Sequence, residues 1–138
     1  MITKMSHVCI YVLDQDRAYD FYVKKLGCEV RTDAPMGPGM RRLTVGPKEQ
    51  PDLEIALLPI VEGEIFSKET ALQMRTLVKS GTFGFGTFEC KDIYATYEEL
   101  KTKGVEFSKP PKKEVYGIAA LFKDDSGNWF SLGQAEQS

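Results

Sequence analysis

Histidine is almost missing from this chain: among 138 residues His7 is the only one, so no chemistry that needs several imidazoles from one chain is available to it. Cysteine is scarce as well. Cys9, Cys28 and Cys90 form no CxxC pair and are odd in number, which points away from a disulfide framework and from a thiolate zinc site. Cys90 falls on the apolar side of its segment and reads as buried filler. No stretch approaches the roughly 20 apolar residues of a membrane span, and the start, MITKMSHV, lacks a basic region followed by a long apolar run. Excess charge of either sign is also lacking, because 18 basic and 20 acidic residues leave a formal net charge of -2. The basic residues gather into no stripe, so neither a nucleic acid nor a membrane is expected as a partner. Together these absences predict a reduced, cytoplasmic, soluble protein.

What the chain does contain is a repeat. Residues 7–28 and 85–105 each read as an apolar alternating strand, an Asp-led turn, an amphipathic helix and a Gly stop. Phe85 follows His7 by 78 positions, Asp92 follows Asp14 by 78, and Gly104 follows Gly27 by 77. A module repeated at half the chain length suggests two fused copies of one half-fold. The length and an apolar content of 42% fit one domain, 1–138, divided into a first module (1–61), a linker helix (62–80) and a second module (81–138).

Alternation in the first strand sets Val8, Ile10 and Val12 on one face and Met5, His7, Cys9 and Tyr11 on the other. The first set suits packing beneath a helix. Asp14 is placed to cap that helix, and Ala18, Phe21, Tyr22 and Leu26 form its apolar stripe. Lys24, Lys25 and Gly27 mark its end. Residues 28–36, 37–47 and 52–60 then read as three strands parted by Pro and Gly turns. Between the halves, Ser67 opens a helix carrying Ala71, Leu72, Met74, Leu77 and Val78. The second half repeats the order: Asp92 caps a helix with Ile93, Tyr97 and Leu100 on its buried stripe. Residues 105–111, 113–125 and 128–134 follow as strands. The fold class is therefore α+β, two tandem βαβββ modules.

At this point the chain resembles the vicinal oxygen chelate superfamily, the glyoxalase, bleomycin-resistance and extradiol dioxygenase group. The residues that carry the resemblance are His7-Val-Cys-Ile-Tyr-Val with Asp14, and the helix end Phe21-Tyr22 to Leu26-Gly27. The second half adds Phe88-Glu-Cys-Lys-Asp-Ile93, Lys103-Gly104-Val105 and the closing turn Asp124-Asp-Ser-Gly-Asn-Trp-Phe130. The resemblance implies two modules whose sheets curl into a cup, helices outside, completed by a homodimer. It also implies a divalent metal held by the first and last strands of each module, where it would polarise two adjacent substrate oxygens.

Strand parity then predicts which residues face the cup. His7 and Phe85 point inward, as does Glu54, with Leu53, Ile55 and Leu57 on the helix side. Ser131 points inward opposite Phe130 and Leu132. The four positions that the resemblance assigns to metal ligands thus hold His7, Glu54 or Ala56, Phe85 and Ser131, since the spacing pairs Ser131 with Glu54 unless loop lengths shift it to Ala56. A phenyl ring cannot coordinate and a serine hydroxyl is a poor ligand, which leaves a half site of His7 and Glu54 and no assigned cofactor. These two are also the catalytic candidates, His7 as a metal-free general base among the options. Glu54, set between apolar neighbours, needs a partner, and Arg41 or Arg42 could supply it. Tyr11, Arg42, Phe85, Tyr116 and Ser131, with Ala56, Leu58 and Trp129 beside them, are the candidate ligand-binding residues. Two readings follow. The first is a binding protein for a small, apolar or aromatic molecule, similar to the antibiotic-sequestering members. The second is a metal-dependent lyase, isomerase or dioxygenase that uses His7 and Glu54.

Overall fold

Both copies of the repeat fold into the same order of strands and helix, in a computed structural model that describes residues 1–135; the last three positions assigned to the second module lie outside the described residues. The first module comprises β1 (His7–Val12), α1 (Gln15–Tyr19) running into a π-helical segment (Asp20–Lys25), β2 (Glu29–Pro35), β3 (Arg41–Gly46) and β4 (Glu54–Pro59). The connector is α2 (Lys68–Lys79). The second module comprises β5 (Gly84–Glu89), α3 (Ile93–Thr102), β6 (Glu106–Glu114), β7 (Gly117–Lys123) and β8 (Trp129–Ala135). The sheets have the same order, β1-β4-β3-β2 and β5-β8-β7-β6, and remain two four-stranded sheets that do not close on each other. In each, the first and last strands pair in parallel and the rest are antiparallel.

The helix starts are set by the side chains expected to cap them. Asp14 accepts from the Arg17 amide at 2.9 Å, Ser67 from Thr70 at 3.1 Å and Asp92 from Ala95 at 3.1 Å. Each cap satisfies an amide that has no partner within its own helix. The first helix departs from a regular α-helix after one turn: the Leu26 amide donates to the Phe21 carbonyl at 3.0 Å, five residues back. This wider turn buries Phe21 and Tyr22 side by side, their rings edge to face at 5.3 Å.

The helix-side residues of both sheets share one core. Ile10, Val12, Leu43, Val45, Ile55 and Leu57 from the first module join Ala120, Phe122, Phe130 and Leu132 from the second. Phe21 stacks on Phe122 at 6.4 Å, and Tyr22 meets Phe130 edge-on at 6.3 Å, so the helix of module one is packed against the sheet of module two. Phe122 is 1% exposed; replacing such a ring by Ala costs about 3–5 kcal/mol through lost burial and the cavity left behind.

The turn from 124 to 128 joins the modules. Asp124 Oδ1 accepts from the amides of Ser126, Gly127 and Asn128, each at 2.9 Å, while Oδ2 accepts from the Tyr22 hydroxyl at 2.7 Å and from Asn128 Nδ2 at 3.0 Å. A carboxylate held by five donors is buried without being orphaned. The same turn reaches back to β1: Ser126 Oγ accepts from the Leu13 amide at 2.8 Å, and Asn128 Nδ2 donates to the Tyr11 carbonyl at 2.9 Å.

One expectation is corrected. Residues 105–111 and 113–125 do not form separate strands divided at Pro110 and Pro111, because β6 continues through both prolines to Glu114 with register shifts on either side of Lys109. It is an edge strand, where a missing amide donor costs no ladder bond. The hairpin instead turns at Val115 and Tyr116, which leaves Tyr116 70% exposed at its tip. The connector α2 buries Ala71 and Val78 against Ile60, with Tyr11, Leu13, Phe66, Met74 and Phe83 packed around them.

Candidate functional site

The parallel register of β1 and β4 sets His7 beside Glu54 and Cys9 beside Ala56. His7 Nε2 lies 2.9 Å from Glu54 Oε2, with the two side chains 39% and 30% exposed. The other carboxylate oxygen, Oε1, accepts from Thr44 Oγ1 on β3 at 2.7 Å, and His7 Nδ1 is 2.8 Å from Ser6 Oγ. The Thr44 hydroxyl holds the Glu54 carboxyl below its ordinary range; partial desolvation opposes this, and the nearby His7 and Arg42 charges reinforce it. The expected arginine partner is therefore not a direct one. Arg42 acts through its charge, and Arg41 turns to Asp16 at 2.6 Å and Asp33 at 3.3 Å, above the ring of Tyr19.

In the second module the corresponding strands pair Gly84 with Trp129, Gly86 with Phe130, Thr87 with Ser131 and Phe88 with Leu132, with one extra residue on β5 between Gly84 and Gly86. Matching the core-facing pair Phe88 and Leu132 to Ile10 and Leu57 makes Ser131 the counterpart of Ala56 and Trp129 the counterpart of Glu54. The pairing of Ser131 with Glu54 is thereby corrected to the other option. Strand parity does not set the direction of Phe85 either. Phe85 is the extra residue of the bulge, which interrupts the alternation, and its ring, on a residue 39% exposed, lies 6.2 Å from that of the buried Phe130. The sequence signal for this was the pair of glycines around Phe85, since glycine inside a strand marks a bulge or a close approach. At Gly84 the close approach is direct: the six-membered ring of Trp129 fills the space a β-carbon would need.

The outer face of the first sheet thus presents His7, Cys9 and Glu54, and that of the second presents Thr87, Trp129 and Ser131. Among the described residues, no hydrogen bond, ion pair or ring contact joins these two groups within one copy. Of the other candidates, Tyr11 is covered by the connector, with Phe66 edge-on at 5.2 Å. Ala56 is 8% exposed beneath the same face, Leu58 is half-buried and Arg42 exposed, and Tyr116 stands apart at its hairpin tip. Two clefts of one copy, of about 350 and 930 Å³, are lined by neither His7, Glu54 nor Trp129. No three His, Cys, Asp or Glu side chains come together as a metal-holding group among the described residues, nor is any described helix long and apolar enough to cross a membrane.

Comparison with known proteins agrees with this architecture. A solved structure, that of UcmS2, superposes with a TM-score of 0.90 at 46% identity, covering 96% of this chain and 98% of that one. The structure of TnmS3, described as an antibiotic-binding protein from Streptomyces sp. CB03234, superposes with a TM-score of 0.72 at 26% identity over 98% of each chain. The uncharacterized protein YetH of Bacillus subtilis (strain 168) is 36% identical over 132 residues, 96% of this chain and 98% of its own length. Residues 4–132 match the profile of the glyoxalase/bleomycin resistance protein/dioxygenase superfamily, and the chain belongs to that superfamily.

Proposed function

We propose that this protein binds a flat, apolar or aromatic small molecule on the faces that carry His7 and Trp129, as a homodimer in which a second copy completes the cavity, and without a complete metal centre. The observation that carries this reading is Trp129 lying across Gly84 at the place where the second module would present its ligand pair. An indole plate offers a stacking surface where a carboxylate would offer an electron pair. In the first module the two donors that remain, His7 and Glu54, are bonded to each other, and three protein ligands are the usual minimum for a catalytic metal. A divalent ion therefore does not fit the residues present. The requirement for a second copy rests on the open faces: one chain encloses neither His7 nor Trp129. The description of TnmS3 as antibiotic-binding supports the choice of a binding role.

Trp129 is the only tryptophan, so its fluorescence reports on this face alone. Titration with 8-anilinonaphthalene-1-sulfonate, a planar aromatic probe, is expected to quench Trp129 and saturate at one or two molecules per dimer, with affinity reduced about tenfold or more in Trp129→Ala. Unchanged probe affinity in that variant rejects the reading. The alternative, a metal-dependent lyase, isomerase or dioxygenase built on His7 and Glu54, requires stoichiometric divalent metal that is lost on His7→Ala, which elemental analysis of the purified dimer decides.

A further inference from the structure

Both ring nitrogens of the only histidine are engaged, which determines what that residue can do. Nε2 faces a carboxylate oxygen of Glu54 at 2.9 Å. A carboxylate only accepts, so Nε2 carries a proton, and in the neutral imidazole Nδ1 then keeps its lone pair, 2.8 Å from Ser6 Oγ. In that form the Ser6 hydroxyl donates to Nδ1. At the far end, Thr44 donates to the second Glu54 oxygen at 2.7 Å, which fixes the carboxylate. The result is one directed chain, Ser6 to His7 to Glu54, with Thr44 behind it. Its elements are rigid: His7 and Glu54 are register partners in a parallel pair, and the Glu54 amide donates to the Ser6 carbonyl at 3.0 Å. Because no ring nitrogen is free to meet a ligand, the reactive end of the chain is the partly exposed Ser6 hydroxyl.

We infer that Ser6, His7 and Glu54 form a metal-free nucleophilic site that transfers the acyl group of an activated ester to Ser6 and then to water. This is the arrangement by which an adjacent base, oriented by an acid, activates a serine, here with the two ring nitrogens exchanged. In the first step the bond from Ser6 Oγ to the acyl carbon forms while the ester C–O bond breaks. The hydroxyl proton passes to Nδ1, and the resulting imidazolium is paired with Glu54. That proton leaves with an alkoxide product, or goes to bulk water when the product is a stable phenolate. In the second step water attacks the acyl carbon and its proton is taken by Nδ1. The C–O bond to Ser6 breaks, Oγ regains a proton from Nδ1, and a carboxylic acid departs. The inference does not depend on what occupies the proposed cavity.

The test uses the full-length protein and p-nitrophenyl acetate. A burst of p-nitrophenolate stoichiometric with chain, followed by slower turnover, is expected, with one acetyl group found on the Ser6 peptide by mass spectrometry. Ser6→Ala should abolish the burst, and His7→Ala should slow acylation about 100-fold, the usual share of a general base. Ser6→Cys should restore a burst, now with a thioester at position 6. Unaltered Trp129 fluorescence and melting temperature in each variant separate lost chemistry from lost folding. An undiminished burst in Ser6→Ala, acetyl groups on lysine alone, or no hydrolysis above buffer overturns the assignment.

Discussion

Trp129 and Gly84 are register partners whose fit leaves no room for a β-carbon at position 84. Two separate facts of the fold meet in this pair. The parallel ladder between β5 and β8 brings the residues together, and the bulge that follows Gly84 takes Phe85 out of the ladder. The indole can therefore lie flat across the strand.

A methyl group at position 84 should be felt at once. Gly84→Ala is expected to displace the Trp129 ring, costing about 1–3 kcal/mol by overpacking and shifting the emission of the sole tryptophan to longer wavelength. A variant with wild-type emission and melting temperature would show that the ring does not lie across Gly84.

The Tyr22 hydroxyl and Asp124 tie the first helix to the closing turn. Both groups are buried, and the Tyr22 hydroxyl is held well above its ordinary pKa, first by burial and then by the Asp124 carboxylate. Tyr22→Phe removes one of two donors to Asp124 Oδ2 and should cost about 1.5–3 kcal/mol, the range for a hydrogen bond to a charged group. Urea unfolding at neutral pH measures it; a loss below a few tenths would mean that solvent replaces the bond.

Asp125, next along the turn, is pushed up to about 7 by burial first and then by the charge of Asp124. In an unfolded chain the same carboxyl titrates near 4. Between these values the folded protein binds the extra proton, so the contribution of Asp125 to stability is present below about pH 4 and is lost as the pH rises toward about 7. The loss should be on the order of 1–2 kcal/mol once solvent screening is allowed for. Asp125→Asn should remove it. The difference between wild type and variant, followed by urea unfolding from acid to neutral pH, isolates this residue from the other carboxylates, and a flat difference would refute the assignment.

The cysteines should separate by position. Cys9 is exposed on the face beside His7, whereas Cys28 is buried, and burial pushes its thiol up to about 11. Iodoacetamide at about pH 8 should therefore label Cys9 readily and Cys28 only after unfolding, because the thiolate is the reacting form. Peptide mapping checks it. Equal labelling of the two would place Cys28 outside the core.

Much of this architecture was legible in the chain because its signals are local. Asp14, Ser67 and Asp92 cap the helices they precede, and the alternation of Val8, Ile10 and Val12 survives as the buried face of β1. Each depends only on residues a few positions away. Pro110 and Pro111 misled because proline disrupts an interior strand but not an edge strand, and edge position is not a local property. Phe85 misled for a related reason: parity counting assumes that every residue on one strand has one partner, and the bulge breaks that count.

The sequence by itself determined the duplicated module, its caps and stops, and the identity of every side chain that could do chemistry. Tertiary structure decided which of those side chains meet. His7 finds Glu54 and Trp129 finds Gly84, because register between strands far apart in the chain is set by the packing of a common core, and Tyr11 packs against Phe66 beside the connector. Periodicity fixes the face a residue occupies only so far as the ladder is regular, and one additional residue in β5 breaks that regularity at Phe85.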